Sequence, residues 1–435
     1  MSMSSSRRNF LRAGALTGLG SSLWNVAGPQ SARAADAPRG ANPAVTRPPA
    51  QRLHPRVIQS TEHRAIVSKK LQEIGEQRRK AAVRQASPGL RTSIEIPLTT
   101  VSLGSNFSAS INIAFQGQGT LTPLEVDSGS TTLIVPYWEV IKDSYTDVLG
   151  YEIVEPFGCP ARLMRGPIIL PDALGGPYTI PDCVFYACTG PNKYNDRTHI
   201  FGAGCITPWA ASGWNTPGDN VVLRAPQAYD EAYPFAEFHY APAATIFAAC
   251  DQPTVVGGSR LTLHQCEPPG YTMFEILWSF GWMSLTPTQL WVNGVPTNWA
   301  QDAPHKVALI DNGGGPVLFS DPGHHVCNGG CPQPATCDPC GTDLSQGPGM
   351  KGCQCSRAPI AFCLTDACGC KTYSFTIDAS RLPETVRGLT FLVCDVNTYI
   401  PTGYQGMNIG GISMLFNDLL IDYRAARVGF KPSLT

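Results

Sequence analysis

Two short passages carry residues able to do acid–base chemistry. In the first, the apolar run Leu124-Glu125-Val126 ends on Asp127-Ser128-Gly129-Ser130, and Leu133-Ile134-Val135-Pro136 follows shortly after. In the second, Val307-Ala308-Leu309-Ile310 ends on Asp311-Asn312-Gly313-Gly314-Gly315, and Pro316-Val317-Leu318-Phe319 follows. An acid at the end of an apolar strand, turned by a small polar residue and a glycine, is held in a loop whose backbone N–H groups reach its carboxylate. One such tetrapeptide is weak evidence, because many surface turns read the same way. The recurrence is the stronger signal. Two strands, two acids and two glycine turns suggest two equivalent lobes that each contribute one carboxylate. Two acids held close together cannot both ionise cheaply, so they share a proton, and the ionised one takes a proton from a water between them.

The rest of the chain must position that pair. Its 435 residues are 43% hydrophobic and 15% charged, enough for a large core in two to three domains or lobes and unlike a disordered or coiled-coil protein. With 43 glycines and 38 prolines, the composition favours turns and short strands over long helices, so an all-β fold is expected. Alternating and β-branched runs at Ile94–Leu98, Ser108–Phe115 and Leu124–Val126 read as strands. The chain has no apolar run long enough for a protein of several membrane spans. The formal net charge of −1 hides an asymmetry. Residues 1–34 hold four basic side chains and no acid, residues 35–95 hold twelve basic and five acidic, and the remainder holds 16 basic and 28 acidic. Nucleic acid is an unsuitable partner for so acidic a body. A serine hydrolase lacks its Gly-x-Ser-x-Gly element, and the triple glycine lacks the lysine and helix of a phosphate loop.

On these two motifs the chain resembles the pepsin-like aspartic peptidases, and three more passages agree. Ile200-Phe201-Gly202 looks like the apolar-apolar-glycine element after the first catalytic loop. Asn408-Ile409-Gly410-Gly411 through Phe416 to Phe430 looks like the closing passage of the second lobe. Phe157-Gly158 lies where that family carries its flap. The resemblance covers roughly Ile94 to Pro432. It implies a bilobal, all-β pepsin-like acid protease fold with a first lobe at 93–260 and a second at 261–435. It also implies that Asp127 and Asp311 hydrolyse peptide bonds in a protein or peptide substrate by activating a water, without metal, cofactor or covalent intermediate. Ser128, Gly129, Ser130, Asn312 and Gly313 would support the two loops, and Phe157 and Gly158 would line the cleft.

Departures from the family pattern raise an alternative. A hydroxyl residue is expected after each catalytic aspartate, and the chain has Ser128 in the first loop but Asn312 in the second. The hydroxyl two positions further on survives as Ser130 and is replaced by Gly314, so Asp311 loses a donor. Phe157 stands for the flap tyrosine and Ile134 for the tryptophan that would bond it, a paired loss that costs less than losing one partner. The rival expectation is therefore a catalytically weak or inactive pepsin-like binding or inhibitor protein.

Two flanking features complete the organisation. Ser6-Arg7-Arg8-Asn9-Phe10-Leu11-Arg12, a mildly apolar stretch and Ala32-Arg33-Ala34 resemble a twin-arginine signal peptide over 1–34. This implies use of the twin-arginine export machinery and a periplasmic or secreted, bacterial protein, expected to be a monomer with no stable membrane insertion. Residues 35–92 read as a linker and an amphipathic basic helix that resembles a prosegment, with release expected on acidification and a cut between Arg78 and Arg91. Nine of the 16 cysteines fall between Cys327 and Cys370, in a stretch read as an insert of the second lobe. Disulfides are expected there because the compartment oxidises, with Cys394 a candidate partner for the odd thiol. The competing reading is a zinc-binding module carried on the bilobal scaffold.

Overall fold

The computed structural model describes residues 92–433 except 104–105, 118–120, 130–132, 141, 155–159, 191–198, 205–232, 243–253, 277–283, 300–305, 313–316, 322–325, 327–349, 352–353, 357, 367–368, 379, 381–390, 395, 398–404 and 426, and upstream it describes Glu73 and Gln77. Apolar–polar alternation builds the first strand, β1 (Ser93–Leu103), in which Ile94, Ile96 and Leu98 are buried while Glu95 and Pro97 are exposed. Pro97 is tolerated because β2 (Asn106–Phe115) joins only from Thr99 onward, leaving that flank of β1 without a ladder to break. β3 (Thr122–Asp127) pairs antiparallel with β2 and delivers Asp127 at its end. β4 (Leu133–Pro136) is buried throughout. β5 (Thr146–Asp147) and β6 (Ile153–Val154) both pair with β7 (Pro160–Leu170), which runs antiparallel to β8 (Tyr178–Cys188). β9 (Ile200–Gly202) lies between β3 and β4. Because β7 also pairs with β2, the strands β2-β3-β9-β4-β8-β7 close into a small barrel.

β10 (Phe235–His239), β11 (Thr254–His264) and β12 (Thr272–Glu275) lead into the second half. There β13 (Ser284–Val292) turns through Asn293 and Gly294, with φ of +55° and +76°, into β14 (Val295–Pro296). Both central residues thus take the left-handed backbone that a tight hairpin needs. β15 (Lys306–Leu309) and β16 (Val317–Ser320) flank Asp311. After β17 (Met350–Lys351) come β18 (Gln354–Ser356), β19 (Ile360–Thr365), β20 (Thr372–Ile377), β21 (Phe391–Cys394), β22 (Val396–Asn397) and β23 (Gln405–Asn408). The second sheet runs β18-β21-β16-β23-β15-β13-β19-β20. A short helix, α1 (Gly410–Met414), precedes β24 (Asn417–Asp422) and β25 (Arg427–Pro432). These last strands rejoin the first half in the order β12-β25-β24-β10-β11-β1. The fold is all-β with mixed parallel and antiparallel sheets, and its main core runs continuously from Ile94 to Phe430. Among the described residues no helix is long and apolar enough to cross a membrane.

A charged cluster ties the sheet that joins the halves. Glu237 on β10 accepts hydrogen bonds from His264 Nε2 at 2.7 Å, Tyr271 OH at 2.6 Å and Lys431 Nζ at 2.7 Å. His239 Nδ1 lies 2.7 Å from Asp418 Oδ1, and the Lys431 ammonium sits 4.4 Å from the centre of the Tyr271 ring. Burial acts to raise the Glu237 pKa, but the three donors outweigh it and hold the carboxyl well below the usual range.

Two predicted features need correction. The expectation of disulfides in the cysteine-rich stretch fails at Cys363, and Cys183, Cys188 and Cys266 outside it form no disulfide either. Cys183 and Cys188 are five residues apart on one strand, so they point to opposite faces, and each packs in a different apolar cluster. Cys363 Sγ instead lies 3.1 Å from Ser374 Oγ on the neighbouring strand. The predicted insert at 327–370 is also too long. Ile360, Phe362 and Leu364 are core residues of β19, which pairs with both β13 and β20. Cysteine density concealed an ordinary apolar strand. Residues 327–349, with Cys327, Cys331, Cys337 and Cys340, lie outside the described residues. Val154 pairs with Pro160, where β7 begins, and Phe157 and Gly158 lie outside the described residues.

Candidate functional site

The strand pairing around Asp127 recurs around Asp311. β3 runs parallel to β9 while β4 runs antiparallel to β9 and parallel to β8. In the second half β15 runs parallel to β23 while β16 runs antiparallel to β23 and parallel to β21. Each acid therefore leaves a strand that is clamped from the side by a parallel partner. The anchoring is backbone chemistry: the Ala203 N–H donates to Asp127 O at 2.8 Å, and the Ile409 N–H donates to Leu309 O at 2.9 Å.

The two loops are bound to each other. The Ser128 N–H donates to Asn312 Oδ1 at 2.6 Å, and the Asn312 N–H donates to Ser128 Oγ at 2.8 Å. The Ser128 hydroxyl in turn donates to Ile310 O at 3.3 Å. Asp127, Ser128, Asp311 and Asn312 are all buried, the most exposed at 5%. A buried donor without an acceptor costs about 1–3 kcal/mol, so this closed set of bonds fixes the loops in one arrangement.

That arrangement sets both carboxylates against Gly129. A Cβ on this glycine would lie 2.8 Å from Asp311 Cγ, 2.8 Å from Asp311 Oδ1 and 3.0 Å from Asp127 Oδ1. Only a residue without a side chain fits between them. The Gly129 N–H donates to Asp127 Oδ1 at 2.7 Å. Asp311 Oδ2 accepts from Asn408 Nδ2 at 2.7 Å. Each carboxylate thus has a hydrogen-bond donor.

Of the residues singled out from sequence, Asp127, Ser128, Gly129, Asp311 and Asn312 come together. Ser130, Phe157, Gly158 and Gly313 lie outside the described residues, as do Gly314 and residues 1–34. Ile134 is buried beside Ala161, Leu163 and Tyr186, an apolar packing that leaves no hydrogen bond to replace. Two neighbours of the pair have no role assigned from sequence: Asn408, which only opens the closing passage of the resemblance, and Tyr240, which is in none of the motifs. Tyr240, fully buried, accepts from Asn312 Nδ2 at 2.7 Å. Burial pushes its hydroxyl far above the usual tyrosine range, an effect opposed by the Asn312 bond and reinforced by the nearby charges of Asp127 and Asp311. Tyr240 therefore stays protonated beneath the pair.

Among the described residues no three His, Cys, Asp or Glu side chains gather as metal ligands. In the upstream basic segment Gln77 Oε1 accepts from Arg165 at 3.3 Å, while the same guanidinium grips Asp182 at 2.6 and 2.7 Å. The chain matches no protein-family model and no curated protein.

Proposed function

We propose that the loops after β3 and β15 form the floor of a pepsin-like cleft that binds extended peptides and hydrolyses them weakly, through a water held between Asp127 and Asp311. The observation that carries this reading is the reciprocal pair of bonds between Ser128 and Asn312, which sets two carboxylates against one glycine. One carboxyl group ionised and one protonated suffice to take a proton from water and donate one to a peptide carbonyl. Under this reading the two halves are lobes of a bilobal fold, and the repeated strand pairing around the two acids supports it.

Weak turnover follows from the second loop. Asn312 replaces a small hydroxyl with a larger amide whose Nδ2 is committed to Tyr240, which ties the cleft floor to the joining sheet. A second reading, an unimpaired aspartic endopeptidase, is favoured by the bond from Asn408, because it restores a donor to Asp311. The twin-arginine passage supports export to the periplasm or beyond, and the basic segment supports a zymogen.

A digest of a peptide library between pH 3 and 7 separates these readings, run with wild type, Asp127→Asn and Asp311→Asn and with a pepstatin-type inhibitor. Slow cleavage that both substitutions and the inhibitor abolish supports the proposal. Fast cleavage with the same sensitivities selects the unimpaired enzyme. Cleavage indifferent to the substitutions and inhibitor, or neither cleavage nor inhibitor binding, sinks both.

A further inference from the structure

The two halves differ at one buried position that their shared pairing makes comparable. Glu125, two residues before Asp127, lies opposite Ile200, and Leu309, two residues before Asp311, lies opposite Asn408. The first half thus fills this position with an apolar side chain packed against Ile134 and Tyr186. The second half fills it with an amide that is only 3% exposed. Burying an amide is costly unless both its ends are bonded.

Both ends are bonded, and in a way that fixes the orientation. Asn408 Oδ1 accepts from the Gly410 N–H at 3.0 Å, and Asn408 Nδ2 donates to Asp311 Oδ2 at 2.7 Å. Reversing the amide would set nitrogen against an N–H and oxygen against a carboxylate, so only one rotamer is satisfied. Gly410, at φ of +65°, makes the turn that brings its N–H back onto Asn408. Asp311 is left with divided oxygens. Oδ2 is held by Asn408, while Oδ1 faces Gly129 and the Asp127 carboxylate.

We infer that Asn408 is the positioning residue of Asp311, supplying from a neighbouring strand the donor that the second loop lacks at Gly314. It fixes the rotamer that sets Oδ2 on the Asn408 amide and Oδ1 against Gly129. This deepens the peptide-cleft reading and rests on it for any effect on turnover, but the bond itself has a consequence independent of that reading.

The test is carboxyl-carbon NMR of protein labelled with [4-13C]aspartate, in which the Asp311 signal is the one absent from Asp311→Asn. Asn408→Leu removes the donor. Asn408→Ala also removes it with a smaller, uncharged side chain, so a loss of local fold in the first variant does not decide the matter. Both variants are expected to move that carboxyl signal, at one fixed pH, well outside its wild-type linewidth, because the carboxylate loses its donor. If the protein turns over peptides, kcat should fall about tenfold while KM changes less than about twofold. An Asp311 carboxyl chemical shift identical in wild type and both folded variants would overturn the inference. Failure of the peptide-cleft reading would appear separately, as absent inhibitor binding in wild type.

Discussion

Ser128 and Asn312 hold each other twice across the two halves of the chain, each giving its backbone N–H to the other's side-chain oxygen, at 2.6 and 2.8 Å. The pairing is asymmetric because one partner is a hydroxyl and the other an amide. The amide has a nitrogen to spare, and it spends it on Tyr240, so the loop pair is coupled downward into the sheet joining the halves.

Replacing Asn312 should therefore be costly in proportion to the bonds lost. Asn312→Leu removes the acceptor of the Ser128 N–H and the donor to Tyr240, and is expected to lower unfolding free energy by about 2–4 kcal/mol in urea titrations. Asn312→Ser keeps an acceptor and should lose about 1 kcal/mol. Equal stability of Asn312→Leu and wild type would mean the loops are held by something else.

Gly129 has no room for a side chain. In Gly129→Ala the methyl group would meet both carboxylates at 2.8 and 3.0 Å and drive them apart. Binding of a pepstatin-type inhibitor should fall by about 100-fold or more, with a stability loss of about 1–3 kcal/mol. Undiminished inhibitor affinity in this variant would show that the pair is not the binding floor.

The Glu237 cluster gives a pH dependence with a definite sign. Its folded pKa lies below the unfolded value of about 4.3, so its contribution to stability is complete above that pH and is lost as pH falls through the depressed folded value. Thermal melts of wild type and Glu237→Gln should differ by a constant amount from pH 7 to about 5, and the gap should close progressively in stronger acid. A gap that widens on acidification would reverse the assignment.

Thiol mapping checks the corrected cysteine chemistry. Alkylation of native protein should modify exposed Cys266 and spare buried Cys183, Cys188 and Cys363, and alkylation after denaturation without reductant should reach all four. Any of these four found resistant until reduced would restore a disulfide there.

The pair of motifs was legible because the same local grammar, an apolar strand then acid, small polar residue and glycine, is written twice. The strand β1 was legible for a similar reason, in the alternation of Ile94, Ile96 and Leu98. Asn408 was not, because its role depends on parallel pairing with β15, a partner far away in sequence, and on the missing hydroxyl it replaces. Tyr240 was invisible for the same reason, since only the closed fold brings its hydroxyl to Asn312. The β19 strand was misread because cysteine spacing drew attention away from Ile360, Phe362 and Leu364. For Asn408 and Tyr240 a long-range contact, absent from any local pattern, decided the outcome.

The central claim is that Asp127 and Asp311 act together on a peptide, and calorimetric titration with a pepstatin-type inhibitor at pH 4.5 tests it most directly. Wild type is expected to bind one equivalent, while Asp127→Asn and Asp311→Asn, each confirmed as folded, should bind about 100-fold more weakly. No binding by wild type, or equal binding by wild type and both variants, would contradict the account.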